Sequence, residues 1–247
     1  ALRPLWNTLL VNQFHDILPG SCIAAANDRS LHDMAEMLHT GSELLCSWFA
    51  PAQNCYTVLN PLDEPCRDVF YLPQIASGFI AQEPGVTLQN VVLADGTAAT
   101  AVYGLERPAL GAAVLHFVPG EQPAQTSRFV YDGKTLTTPL LQVQLDELGR
   151  ITSLVTRADG MQWADGPMNT LLMAEDVSAG WDGWDIDADC MMKLQPAARL
   201  TKQTVTADGP QEFRLHSRYE LGTATILEQN MICLLYTSPS PRDRTRS

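Results

Sequence analysis

The stretch Asn12-Gln13-Phe14-His15-Asp16-Ile17-Leu18-Pro19-Gly20-Ser21 sets an imidazole beside a carboxylate, just ahead of a Pro-Gly pair that stops a helix. Chemistry uses that combination where a group must be held rigidly. A histidine at a helix end also has an ordinary structural use, bonding to a carbonyl or sitting at the negative pole of the helix dipole. Asp16 has one too, as the cap of a following helix, although it stands slightly early for that. A second chemistry-bearing run is Gly180-Trp181-Asp182-Gly183-Trp184-Asp185-Ile186-Asp187-Ala188-Asp189, close to Glu175 and Asp176. Indole faces stack on sugar rings and carboxylates accept from hydroxyls, so Trp181, Asp182, Trp184 and Asp185 are candidate substrate-binding residues. The structural alternative is a rigid loop whose tryptophans fill core. The acids lack the spacing of a calcium-binding EF-hand loop. His32 and His39, seven apart, read as a solvated helix face. Gly133-Lys134-Thr135 is no phosphate loop, and neither a nucleophile elbow nor a dinucleotide turn occurs.

The run Gln13-Phe14-His15-Asp16-Ile17-Leu18-Pro19-Gly20-Ser21 resembles a signature of the family 38 glycoside hydrolases, the retaining, zinc-dependent α-mannosidases. The Trp181-Asp182-Gly183-Trp184-Asp185-Ile186 run is similar to one in the same family. Looser support comes from Leu59-Asn60-Pro61-Leu62 and Gly149-Arg150-Ile151-Thr152-Ser153-Leu154. The resemblance implies that His15 is a ligand of Zn2+ and that Asp16 supports the metal or the sugar as a catalytic-site neighbour. The remaining ligands, the nucleophile and the acid/base are then expected in an N-terminal barrel that precedes this segment. It implies a mannose-containing oligosaccharide as substrate, a fragment inactive by itself, and room for a homo-oligomer in the full-length protein. The competing readings are a non-catalytic carbohydrate-binding β-sandwich module and a purely structural region.

The elements that must position these residues are legible as two textures. Leu5, Leu9, Leu10 and Phe14 have helical spacing, which predicts a helix over 4–17, and Ser21 is placed to cap a second one. Ala24, Leu31, Leu38 and Leu45, joined by Met34 and Trp48, form the seam of a long amphipathic helix, expected to be buried against partners. Two helices bury each other poorly, so the rest of a helical bundle is expected upstream. After Pro51 come short strands, at 56–61, 68–72, 86–93, 112–117, 128–131, 140–145, 151–155, 199–205, 212–219 and 223–233. Asp95-Gly96, Asp132-Gly133, Leu148-Gly149 and Asp159-Gly160 punctuate them as turns. The expected class is therefore multi-domain α+β: the C-terminal part of a helical bundle over 1–50, then all-β sandwich material over 51–235, with room for two sub-domains divided near 120–135.

Composition sets limits on partners. A net charge of −12 argues against nucleic acid and against an anionic membrane surface. No apolar run approaches the roughly 20 residues of a membrane span. The six cysteines have no zinc-finger or C-x-x-C spacing and read as reduced thiols of a cytoplasmic protein. From Tyr236 the sequence turns abruptly basic and loses all periodicity. It reads either as a disordered tail or as an artefact that resembles translated sequencing adapter.

Overall fold

The computed structural model describes residues 2–49, 52–177, 180, 185–222 and 225–234. They fall into two compact units, one built from 1–52 with 173–195, the other from 53–172 with 196–247.

In the first unit, helix α1 (Leu2–Asn12) is followed by tight turns and then by α2 (Ala24–Ser47). α1 stops five residues before the expected end at residue 17. Asn12 is buried and turns its amide back onto the Thr8 carbonyl (2.9 Å). Beyond it the chain closes in short turns, with Ile17 N–H bonding to Phe14 O (2.9 Å) and Gly20 N–H to Ile17 O (3.1 Å). Gly20 lies at φ +78°, a left-handed value that suits glycine. Ser21 does not cap α2: Ile23 holds the cap position with no side-chain bond, and Ser21 Oγ reaches back to the Asp16 carbonyl (3.5 Å). The expected buried seam is on the surface, since Leu31, Leu38, Leu45 and Trp48 are all exposed. His32 and His39 stand beside Glu36 and Glu43 one turn on (3.9 and 3.3 Å), the solvated face that the spacing predicts.

The second unit is built of antiparallel sheets. β1 (Cys55–Asn60), β2 (Phe70–Pro73), β3 (Phe79–Ala81), β4 (Thr87–Val92), β5 (Ala98–Tyr103) and β6 (Gly111–Pro119) make two three-stranded sheets, ordered β1-β6-β3 and β2-β5-β4. β7 (Val130–Tyr131), β8 (Thr135–Thr137), β9 (Leu141–Leu145) and β10 (Ile151–Thr156) form a four-stranded sheet in the order β10-β9-β8-β7. The two-residue strands β11 (Leu172–Met173) and β12 (Gln195–Pro196) flank the segment of the first unit that carries the short helix α3 (Cys190–Lys193); β13 (Ala198–Asp208), β14 (Glu212–Leu221) and β15 (Thr225–Leu234), paired in that order, complete the second unit.

Three apolar clusters join these sheets in series. Leu88, Val102, Leu105, Leu115 and Phe117 fill the space between β1-β6-β3 and β2-β5-β4. Val91, Ala99, Ala101 and Tyr103 meet Ala207 of β13 on the opposite face of β4 and β5. Phe129, Leu136, Val143 and Leu145 pack against Phe213 and Leu215 of β14. The sheet β2-β5-β4 is thus covered on both faces, and β13-β14-β15 is so only at the end that carries Ala207, Glu212 and Arg214. This explains why β5 escaped the periodicity search. Ala98-Ala99-Thr100-Ala101-Val102-Tyr103 has little strand propensity, but small residues are what a strand sandwiched between two layers can accommodate. The very short β3 and β8 were likewise not expected.

The Asn60-Pro61 turn acquires a physical role. Asn60 is buried, and its amide donates to the carbonyls of Glu64 (2.7 Å) and Pro108 (2.9 Å) while its oxygen accepts from Leu62 N–H (3.1 Å). Asn60→Leu strands those carbonyls and should cost about 1–3 kcal/mol, read as a lower midpoint in urea denaturation.

Candidate functional site

His15 sits in the turn sequence after α1, where the bonds at Phe14, Ile17 and Gly20 define the backbone. Its side chain is 67% exposed, that of Asp16 43%, and Nε2 lies 3.6 Å from Asp16 Oδ2. The Phe14 ring lies beside the imidazole, with centroids 4.3 Å apart. The arrangement therefore presents a neighbouring imidazole and carboxylate on the surface of the first unit. Among the described residues no group of three His, Cys, Asp or Glu comes close enough to hold a metal ion, so His15 and Asp16 offer at most part of a coordination shell.

Trp181, Asp182 and Trp184 lie outside the described residues. Asp185 is exposed and accepts the N–H of Ile186 (2.9 Å). The neighbouring acids are committed to holding their own segment. Asp176 Oδ1 accepts Asp187 N–H (3.0 Å), and Lys193 Nζ is gripped by Asp187 (3.0 Å) and Asp189 (2.7 Å). The Lys193 ammonium, first through its hydrogen bond and then through its charge, holds the Asp187 carboxyl below its usual range. The segment 173–195 belongs to the same compact unit as His15, a grouping that separation in sequence gives no means to anticipate.

The most deeply buried polar constellation is one that sequence reasoning missed. Glu212 and Arg214, 0% and 3% exposed at the side chain, form an ion pair inside the second unit (2.7 Å). Glu212 Oε2 accepts the hydroxyls of Tyr103 (2.8 Å) and Tyr71 (3.0 Å), while Arg214 donates to the Tyr71 oxygen (3.1 Å). Gln89 closes the group, donating to Glu212 O (2.7 Å) and accepting Glu212 N–H (3.0 Å). No buried polar atom of these side chains is left without a partner, and the pair is closed in by its own hydrogen bonds, so we read it as a structural lock.

The comparisons with known proteins bear on both units. Residues 1–49 match the sequence model of the alpha mannosidase middle domain, and residues 136–235 match that of the glycosyl hydrolases family 38 C-terminal domain. The chain belongs to glycosyl hydrolase family 38. Similar proteins include alpha-mannosidase 2C1 of Mus musculus, 28% identical over 193 residues, and alpha-mannosidase 2C1 of Homo sapiens, 29% identical over 199 residues. Each alignment covers 75% of this chain and 17% of the relative, so the chain spans less than a fifth of the length of those relatives. Two solved structures share the fold: a family 38 glycosyl hydrolase from Enterococcus faecalis, and an alpha-mannosidase from Enterococcus faecalis V583. Their TM-scores are 0.53 and 0.54 at 10% and 11% identity, covering 87% of this chain and 31% and 30% of theirs. The first match falls on the helical residues and the second on sheet-rich ones.

Proposed function

We propose that this chain is part of a zinc-dependent retaining α-mannosidase that removes terminal α-mannosyl residues from oligosaccharides. His15 supplies one metal ligand and the sheet-rich region walls the cleft. The single observation that carries the reading is the surface presentation of the His15 imidazole, on a hydrogen-bonded turn within the matched middle domain. Neutral imidazole nitrogen is a good donor to Zn2+, and a ligand on a rigid turn loses little entropy on binding. Asp16 orients the imidazole or the sugar from its place beside it. When bound, zinc would act as a Lewis acid on the sugar hydroxyls and help stabilise an oxocarbenium-like transition state. Asp185, exposed in the same unit, is available to accept from a substrate hydroxyl, with Trp181, Asp182 and Trp184 as its proposed neighbours.

The remaining ligands, the nucleophile and the acid/base belong to other parts of the full-length enzyme, so the 247-residue chain alone is inactive. All six cysteines are free thiols and no described helix is long and apolar enough to cross a membrane, which supports a cytoplasmic enzyme. Association into a homo-oligomer belongs to the same proposal for the full-length protein.

The test is direct. The complete reading frame containing this segment should bind zinc and hydrolyse 4-nitrophenyl α-mannoside, losing both to a chelator. The 247-residue chain should show no turnover. Metal-dependent hydrolysis by the short chain, or a chelator-insensitive full-length enzyme, overturns the reading and leaves the carbohydrate-binding module.

A further inference from the structure

β14 carries two different faces. Phe213 and Leu215 point into the apolar cluster shared with β8 and β9, and alternation puts Ser217 and Tyr219 on that same face. Along it the chemistry changes from apolar to polar without becoming exposed, for Ser217 and Tyr219 are 7% and 3% accessible. The register sharpens the change. Gln203 of β13, Ser217 of β14 and Gln229 of β15 stand directly opposite one another, so one transverse row of the inner face is entirely neutral and polar. Over this row lies a cleft of about 300 Å3, bordered on its other side by Leu145, Gly149, Ile151 and Asn169.

Burying amides in a sheet interface costs free energy unless their hydrogen-bonding capacity is used. Here it is used only in part. Asn169 and Gln229 bond to each other through both amides (3.1 and 3.3 Å), and Gln203 donates to Ser217 Oγ (3.1 Å) while its oxygen accepts the Tyr131 hydroxyl (3.4 Å). A carboxamide offers two donors and two acceptor lone pairs, so each of these three lining amides keeps a donor and an acceptor site beyond the bonds named. Asn169 holds a left-handed backbone (φ +59°), and Gly149 approaches so closely that a Cβ there would lie 2.5 Å from the Tyr219 hydroxyl oxygen. No side chain with a formal charge lines the space.

We propose that this cleft is a second, metal-independent binding site for a neutral polyhydroxylated ring, a pyranose residue. Paired donors and acceptors on amides match vicinal hydroxyls, which need both at once. Leu145, Ile151, Leu215 and Met231 supply an apolar floor for the C–H face of the ring. Without a charged group, an anionic or cationic ligand gains nothing to offset its desolvation. The volume admits one ring rather than a chain, at the lower end of small-molecule sites. The proposal shares no residue with His15 and stands or falls separately from the zinc reading.

The experiment is a titration of the 247-residue chain with methyl α-D-mannopyranoside, followed by backbone amide NMR, with glycerol and mannose 6-phosphate as the ringless and charged comparisons. Expected are shifts centred on Gln203, Ser217 and Gln229 with a Kd on the order of millimolar. They should persist in EDTA and in His15→Ala, and be weakened at least tenfold by Gln229→Leu in a variant whose circular dichroism is unchanged. Should that variant misfold, Gln203→Leu and the map on the unaltered chain still decide the matter. Shifts confined to other residues, equal shifts from glycerol, tighter binding of the phosphate, or binding untouched in folded Gln229→Leu each overturn the proposal. Silence throughout the titration means that the cleft holds water only, and overturns it as well.

Discussion

Arg214→Leu should destabilise the sheet-rich unit by about 3–5 kcal/mol, because it leaves the Glu212 carboxylate buried without its cation. The carboxylate would retain the hydroxyls of Tyr71 and Tyr103, which are hydrogen bonds but not charges. Arg214 also stacks over the Tyr71 ring at 5.3 Å, and that contact is lost with it. The midpoint in thermal denaturation should fall by roughly 10 °C. A double-mutant cycle separates the pair from its parts. Glu212→Leu with Arg214→Leu should lose at least ~1 kcal/mol less than the two single changes summed, since removing both charges avoids the orphan. Strict additivity would sink the idea that the pair acts as one unit.

The same lock makes a statement about alkaline pH. Burial first, and then the negative charge of Glu212, push the Tyr71 hydroxyl from 10.0 up to about 12, and Tyr103 is raised for the same reasons. A folded-state value above the unfolded one means that the native protein holds its protons more tightly. The stability these tyrosines contribute is therefore complete below pH 10 and drains away as pH rises from 10 through 12. Urea midpoints measured across that interval should fall, and fall less in Tyr71→Phe.

His15→Ala in the full-length enzyme should abolish zinc retention and lower kcat/KM for 4-nitrophenyl α-mannoside by at least ~100-fold, more than is typical of a supporting neighbour. Asp16→Asn tests the neighbour itself and should cost about 10–100-fold with zinc still bound. The side chain of His15 is 67% exposed, so its removal should change stability by no more than about 0.5 kcal/mol. That separation is what makes the variant informative. Loss of zinc and turnover with an unchanged denaturation midpoint supports the ligand role. Full zinc content and full activity would remove His15 from the site and with it the central element of the proposed function.

The local signals in the sequence were strong where one residue type imposes one backbone geometry. Asp95-Gly96, Asp132-Gly133 and Leu148-Gly149 are turns in the structure, each with glycine at positive φ, and the strands on either side of Leu148-Gly149 fall close to their expected positions. The Gln13–Ser21 motif and the helix-to-strand change near residue 51 sufficed to indicate the family, because they depend on residue order alone. Signals averaged over a face say less about their surroundings. The seam of α2 has flawless spacing and lies exposed, since periodicity states that a helix has an apolar side and not what covers it.

β14 shows most clearly where sequence reasoning stops. Glu212, Arg214, His216 and Arg218 alternate with Phe213, Leu215, Ser217 and Tyr219, which by pattern is a strand with one wet charged face. The sequence by itself determined the strand, its alternation and the family to which it belongs. Only the tertiary structure decided that a second sheet covers one end of the charged face, turning Glu212 and Arg214 into a buried lock, and that the other face runs from apolar core into an amide-lined cleft. The reason is physical: the alternation of side chains along a strand is local and follows from residue order. The groups that complete the hydrogen bonding of the buried pair or border the cleft arrive from Tyr71, Gln89, Tyr103 and Gly149, more than sixty residues away along the chain, and are known only once the sheets have stacked.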